Sequence, residues 1–354
     1  MRGLGENACT LPGVMRVACA CLLLGALSCQ GKSQTSSNPT ASAEPKPSAV
    51  PAVSAAASAV TSAAPATSIS AAPAASGAPA APFTPDAQRY AWLGDERDFP
   101  KPDATLEARF ATPPGYSRVK VEAGSFAEWL RTLPMAPEGT PAKTFDGKES
   151  LAADDDYLAG VIAIDIGSSD LQQSSDVVVR LHAEYLWSRG EKDKISYLSA
   201  TKLNMPLSRW EKGQRLIPNG ANVFWAVKGK GSEVNHAEFR KYLDSVFNWS
   251  NSTSLSPRST PVEDPKTLVA GDFFLQSDSP NHVAVILDVA EKPTGERVAL
   301  LGQARNPAES IHVVRPGKAT AWFSVRPPVP VMTPHSKALA WSDLRRLGPA
   351  EPEK

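Results

Sequence analysis

The chain has 354 residues, 37 basic and 37 acidic, for a formal net charge of +0. With no basic block, the composition argues against nucleic acid as a partner and against electrostatic membrane binding. All four cysteines (Cys9, Cys19, Cys21, Cys29) lie within the first 29 residues, so the rest of the chain has no thiol, disulfide or thiolate metal site.

Residues 1–28 read as an export signal. Arg2 and Arg16 supply positive charge, Val17 to Leu27 is apolar, and small or apolar residues precede Cys29. The segment is too short to span a membrane. Ala26-Leu27-Ser28-Cys29 resembles the bacterial lipobox, with the leucine one place later than usual. The resemblance implies that Cys29 is lipidated and becomes the mature N-terminus. Gln30, where Asp would signal retention, points to outer-membrane sorting in a Gram-negative cell, on its periplasmic or surface side. Membrane attachment would then be through the lipid alone; ordinary secretion with a cut elsewhere is the alternative. Removing residues 1–28 takes away Arg2, Arg16 and Glu6, a net +1, and leaves −1.

Residues 29–88 are expected to form a disordered tether. From Gly31 to Pro85 the chain is Ala, Pro, Ser and Thr with little charge, too poor in apolar surface to offset its ordering entropy. Fully extended at roughly 3.1 Å per residue, it would reach on the order of 150 Å. Tryptophans, phenylalanines and charges return together from Arg89, so residues 89–328 are read as one α+β domain and 329–354 as a C-terminal tail.

Within the domain, Ser125 to Leu133 predicts a short helix capped by Ser125 and ended by Pro134. Asp154-Asp155-Asp156 reads as a solvated loop, with a calcium site as the alternative. Val161 to Asp165 is an apolar strand that turns through Gly167-Ser168-Ser169 into a helix over Asp170–Trp187. On that helix Leu171, Ser174, Val178, Leu181 and Tyr185 share a buried stripe, and Gln173, Asp176, Arg180 and Glu184 fall on the opposite, outer face. Ser169-x-x-Gln172 fits a capping box, which would commit the Ser174 N–H to the helix. Lys194–Leu198 and Val223–Val227 read as strands, Arg209–Arg215 as a loop, and Ala237–Trp249 as a second amphipathic helix with Phe239, Leu243, Val246 and Phe247 inward. Strands follow at Thr267–Leu275, Asn281–Val289, Glu296–Gln303 and Ser310–Val314, the middle pair joined at Pro293-Thr294-Gly295. A last helical piece is expected over Ser336–Leu347. The fold class is therefore α+β, an antiparallel sheet packed on the central helix.

Several stretches are similar to an uncharacterised bacterial family, the domain of unknown function 4846. They include Ser125-Phe126 through Leu133-Pro134, Asp165-Ile166-Gly167, Asp170-Leu171-Gln172-Gln173, and Arg180-Leu181 with Ala183-Glu184-Tyr185-Leu186. Further on come Trp210, Gly213 and Arg215, Ser254-Leu255, Gly271-Asp272, Ser279-Pro280 with His282, Leu300-Leu301 with Gln303, and Ile311-His312-Val313. More distantly, Ser174 near the start of a buried helix, and Gly271-Asp272 followed by a strand headed by His282, resemble papain-like amidases and endopeptidases that cut cell-wall peptides. In the family a cysteine usually follows Gln-Gln; here that position is Ser174.

The papain-like resemblance implies a nucleophile, an imidazole base and a polar group to orient it. His282, at the head of an apolar strand, is the candidate base. Gln303 is the candidate orienting group, because the hairpin brings it opposite or diagonal to His282. Asp288 shares the strand face of His282 but lies about 20 Å along it. Ser174 is read as a working nucleophile, a relic of a catalytic cysteine, or simple packing. His312 is a reserve base; His182 is structural; His236 and His335 fall in loops, and Arg180 with Glu184 reads as a surface ion pair. No residues stand at metal-ligand spacing and no phosphate loop is present, so no metal or cofactor is expected. The leading expectation is a lipid-anchored envelope protein whose papain-like domain, degenerate through Ser174, acts on or binds peptide or amide groups. Its partners would be peptidoglycan or envelope proteins. The alternative is a non-catalytic binding or scaffold lipoprotein, and a third, a serine hydrolase, lacks a Gly-x-Ser-x-Gly elbow.

Overall fold

The computed structural model describes residues 83–95, 98–276, 282–334 and 336–349. The export signal, Cys29, nearly all of the tether, Ser279-Pro280 and His335 lie outside the described residues. The domain is mixed α and β, with antiparallel sheets and few helices. No helix of the described residues is long and apolar enough to cross a membrane.

The main sheet has nine strands: β1 Ser117–Arg118, β2 Leu158–Val161, β3 Ser259–Pro261, β4 Phe273–Gln276, β5 His282–Glu291, β6 Arg297–Gln303, β7 His312–Val314, β8 Phe323–Val325 and β9 Leu344–Leu347. Their order is β3-β9-β4-β5-β6-β7-β2, with β8 added to β6 and β1 to β5. The helices that matter to the site are α1 Phe126–Arg131, α2 Asp176–Ser188 and α3 His236–Trp249.

The centre of the sheet is β5, whose run Val283-Ala284-Val285-Ile286-Leu287 is buried on both faces. Alternation sends Val283, Val285 and Leu287 into the larger core, with the helices, and Ala284 and Ile286 into a second core beneath. A bulge between Ile286 and Asp288 then resets the parity, so Val289 joins the second core and Ala290 the first. Gly302 on β6 lies so close to β5 that a Cβ there would meet Leu287 Cδ1 at 2.7 Å.

Several expectations need correction. The strand expected over Val161–Asp165 is placed earlier, at Leu158–Val161; Ile162 to Asp165 follow as a buried, bent segment outside the strand. Arg209–Arg215, expected as a loop, contains the end of a helical turn over Leu207–Glu211 and the start of a strand over Gln214–Asn219. Ser336–Leu347, expected as helix, ends in β9, wedged between β3 and β4. Backbone ladders to both neighbours place that strand, and Arg346 on it pairs with the buried Asp272 at 2.6 and 2.8 Å. The helices Ser125–Leu133 and Ala237–Trp249 fall within a residue or two of their predicted bounds, the first capped by Ser125 Oγ as expected.

Candidate functional site

The lead-in to α2 decides where Ser174 sits. Helical periodicity predicts a start at Asp170, yet the helix begins at Asp176, and Leu171 to Ser175 form tight turns. Gly167, at φ +87°, turns the chain where a Cβ would strike the Arg240 guanidinium at 2.9 Å. At the helix start, Asp176 N–H donates to the Gln173 carbonyl at 2.8 Å, and Gln173 N–H donates back to Asp176 Oδ2 at 3.2 Å. Burial pushes the Asp176 carboxyl well above its ordinary value, with the Ser250 hydroxyl and Gln173 N–H only partly opposing it. This clasp holds Ser174 just ahead of the helix. Its N–H, expected to be consumed by the helix, instead donates to Asn306 Oδ1 at 3.2 Å.

Ser174, His282 and Gln303, far apart in sequence, meet there. Ser174 Oγ accepts the Val283 N–H at 2.9 Å and lies 3.4 Å from His282 Nδ1. The other ring nitrogen, Nε2, is 2.8 Å from Gln303 Oε1. Gln303 stands directly across the ladder from His312, and its Nε2 is 3.3 Å from His312 Nε2. His312, expected as a reserve base, is thus two partners removed from Ser174, and it is fully buried. Its Nδ1 lies 2.9 Å from the Ser310 carbonyl and 3.8 Å from Glu309. Asp288 takes no part, since Arg118 and Arg131 hold it at 2.7 Å each on the far part of β5.

Burial pushes the His282 imidazole below its ordinary value, and the Gln303 hydrogen bond offsets this only in part; His312 and Arg305 push the same way as burial. The ring is therefore neutral at neutral pH and has a free lone pair to accept a proton. Ser174 and His282 are 4% and 7% exposed, and that small exposure faces a cleft of about 420 Å³. Arg305, Asn306, Glu309 and Lys337 line the cleft around them. Arg305 is paired with Glu309 at 2.9 Å, so the cleft wall carries a closed ion pair. A larger cavity, about 640 Å³, lies under residues 164–168 and shares Thr144 with the cleft.

The supposed outer face of the central helix is the main error of the sequence reading. Arg180 and Glu184 are 0% and 1% exposed. Arg180 binds Asp165 at 2.7 Å, Glu184 at 2.9 Å and Gln172 Oε1 at 2.7 Å. Arg240 of α3 adds a second cation on Asp165 at 3.1 Å and also pairs with Asp244. His236, expected in a loop, opens α3 and bridges Glu184 at 2.9 Å and Asp95 at 2.8 Å. Burial works to lower the His236 pKa, but the hydrogen bonds and charges of Glu184 and Asp95 outweigh it and hold the ring above its ordinary value. His182, on the flank of α2, is 3.1 Å from the Tyr197 hydroxyl, and burial lowers it to about 4.

Asn306, Asp176 and the Asp165–Arg180 cluster were missed as parts of this region. Asp176 falls in the first turn only once the helix is known to start there; with a start expected at Asp170 it stood on the outer face and gave no signal. The Asp154–Asp156 run lies in a turn, and no group of three or more metal-ligating side chains is found among the described residues.

The chain belongs to the family described as Domain of unknown function (4846), which matches residues 106–346. Comparison with curated proteins and with solved structures found no match.

Proposed function

We propose that this domain is a papain-type hydrolase site, with Ser174 in the place of the nucleophilic cysteine, His282 as base and Gln303 as its orienting amide. The substrate class is peptide or amide bonds of the cell envelope, reached from a Cys29 lipid anchor at the outer membrane through the tether. The observation that carries the reading is the unbroken contact chain from Ser174 Oγ through His282 to Gln303, open at one end to a cleft. Because Oγ already accepts the Val283 N–H, its own proton is free to point at His282 Nδ1. A separation of 3.4 Å is long for that bond, but such contacts tighten when a substrate is bound. Ser174 opens on the cleft of about 420 Å³, and Thr144 on its wall also lines the larger cavity of about 640 Å³, which offers room for a substrate chain beyond the cleft.

A second reading, a binding protein without turnover, is favoured by two features. Serine starts many pKa units above a thiol and needs a strong oxyanion hole. The Ser174 N–H that would line such a hole is taken by Asn306. Two measurements separate the readings. A fluorophosphonate probe labels Ser174 in the enzyme, and the label is lost in Ser174→Ala. Ser174→Cys gives the expected degenerate site a thiolate and should yield amidase activity on cell-wall fragments. Sedimentation of the unaltered domain with sacculi, with no probe reaction at Ser174 and no fragment release by it or by Ser174→Cys, overturns the hydrolase reading in favour of the binder.

A further inference from the structure

We propose that His312 is a positioning residue: it fixes which way the Gln303 carboxamide faces, and so which nitrogen of His282 carries the proton. The proposal deepens the hydrolase reading and rests on it for its meaning, but its geometry stands without it.

The Ser310 carbonyl can only accept. It lies 2.9 Å from His312 Nδ1, so that nitrogen carries the hydrogen. Glu309, 3.8 Å from Nδ1, is already held by Arg305 at 2.9 Å and does not call for a second cation; in the neutral ring the other nitrogen, Nε2, is then an acceptor and requires a donor. The group facing it is Gln303 at 3.3 Å, and the end that donates is the amide NH2. This choice matters because a carboxamide has nearly the same shape either way round, so packing alone does not select its orientation. Gln303 is 1% exposed, so a wrong choice would leave buried polar atoms mismatched, at a cost that solvent is poorly placed to offset. With the NH2 turned to His312, Oε1 faces His282 Nε2 at 2.8 Å, and that nitrogen must donate. The proton therefore sits on His282 Nε2, and the lone pair on Nδ1 faces Ser174 Oγ.

Reversing the amide would reverse the base. Gln303 NH2 would donate to His282 Nε2, the ring proton would move to Nδ1, and His282 could no longer take the Ser174 proton. The setting of the site is thus made two side chains behind it, by a backbone carbonyl acting through His312 and Gln303. The cross-strand pairing of Gln303 with His312 explains why the two can be held so rigidly: they are directly opposed on β6 and β7.

Nitrogen NMR of ring-labelled protein reads both tautomers without any substrate. In the wild type His312 should be protonated on Nδ1 and His282 on Nε2. His312→Leu removes the acceptor, and a substantial fraction of His282 should shift to the Nδ1–H form; His312→Gln, which can accept through its own carbonyl, should restore Nε2–H. Finding the wild-type His312 protonated on Nε2 overturns the proposal outright and needs no variant to fold. So does a folded His312→Leu protein whose His282 tautomer is unchanged. Absence of fluorophosphonate labelling, by contrast, counts against the hydrolase reading and leaves the tautomer result intact.

Discussion

Two polar networks adjoin the same helix, one along α2 and one at the turn just ahead of it, and they are built on opposite principles. Around Arg180 the groups are charged and mostly sealed: Arg180, Arg240, Asp165 and Glu184 are buried and paired with one another, while His236, Asp95 and Asp244 complete the charge balance at the margin. Around His282 the groups are neutral and the chain has an open end, where Ser174 and the ring meet a cleft. Burying charge costs several kcal/mol per ion, so such a cluster persists only when every member is paired, and it then fixes one arrangement of α2, α3 and the 165–168 segment. A neutral chain is cheaper to bury and keeps a lone pair available. The first network holds a geometry; the second is suited to moving a proton.

The comparison is tested most severely at Arg180. Arg180→Met removes a buried cation shared by Asp165 and Glu184, and unfolding in urea should show a loss of about 3–5 kcal/mol. The neutral network should be less sensitive. Gln303→Leu strands two ring nitrogens without stranding a charge, and the same titration should give about 1–3 kcal/mol. If Gln303→Leu costs as much as Arg180→Met, the division into a charged brace and a neutral relay fails.

The smallest effect is a difference of sign with pH. His282 and His182 have folded pKa values below the unfolded value, so their contribution is complete above pH 6.5 and is lost as pH falls toward about 4 for His182. His236 is raised, so its contribution is complete below 6.5 and is lost as pH rises through its folded value. Each contributes a slope of at most about 1.4 kcal/mol per pH unit. Tm measured across neutral pH should fall on both sides, and His236→Gln should flatten the alkaline side only. An unchanged alkaline limb in that variant would show that the bridge between Glu184 and Asp95 does not depend on ring charge.

Local pattern made much of this legible. Ser125 as a cap, the inward face of α3 and the His282–Gln303 hairpin follow from side-chain chemistry and periodicity over a few residues. The approach of Gln303 to His282 was also within reach, because a hairpin turn fixes which residues of its strands lie near each other, whereas the place of Ser174 beside them is a long-range contact. The start of α2 was not. A capping box at Ser169 fits the sequence, but the Gln173–Asp176 clasp and Asn306, which lies 132 residues from Ser174, set the helix start later. Nor was β9: its place in the sheet depends on Asp272 and on neighbours it meets only in the folded chain.

The sequence by itself determined the inventory: no thiol after Cys29, apolar strands of fixed period, and a hydroxyl, an imidazole and an amide as the available chemistry. Only the tertiary structure decided which polar residues were inside. Alternation of charge along a helix looks the same whether its partners are water or buried ions, since that outcome depends on α3 and the 165–168 segment supplying the opposite charges in space.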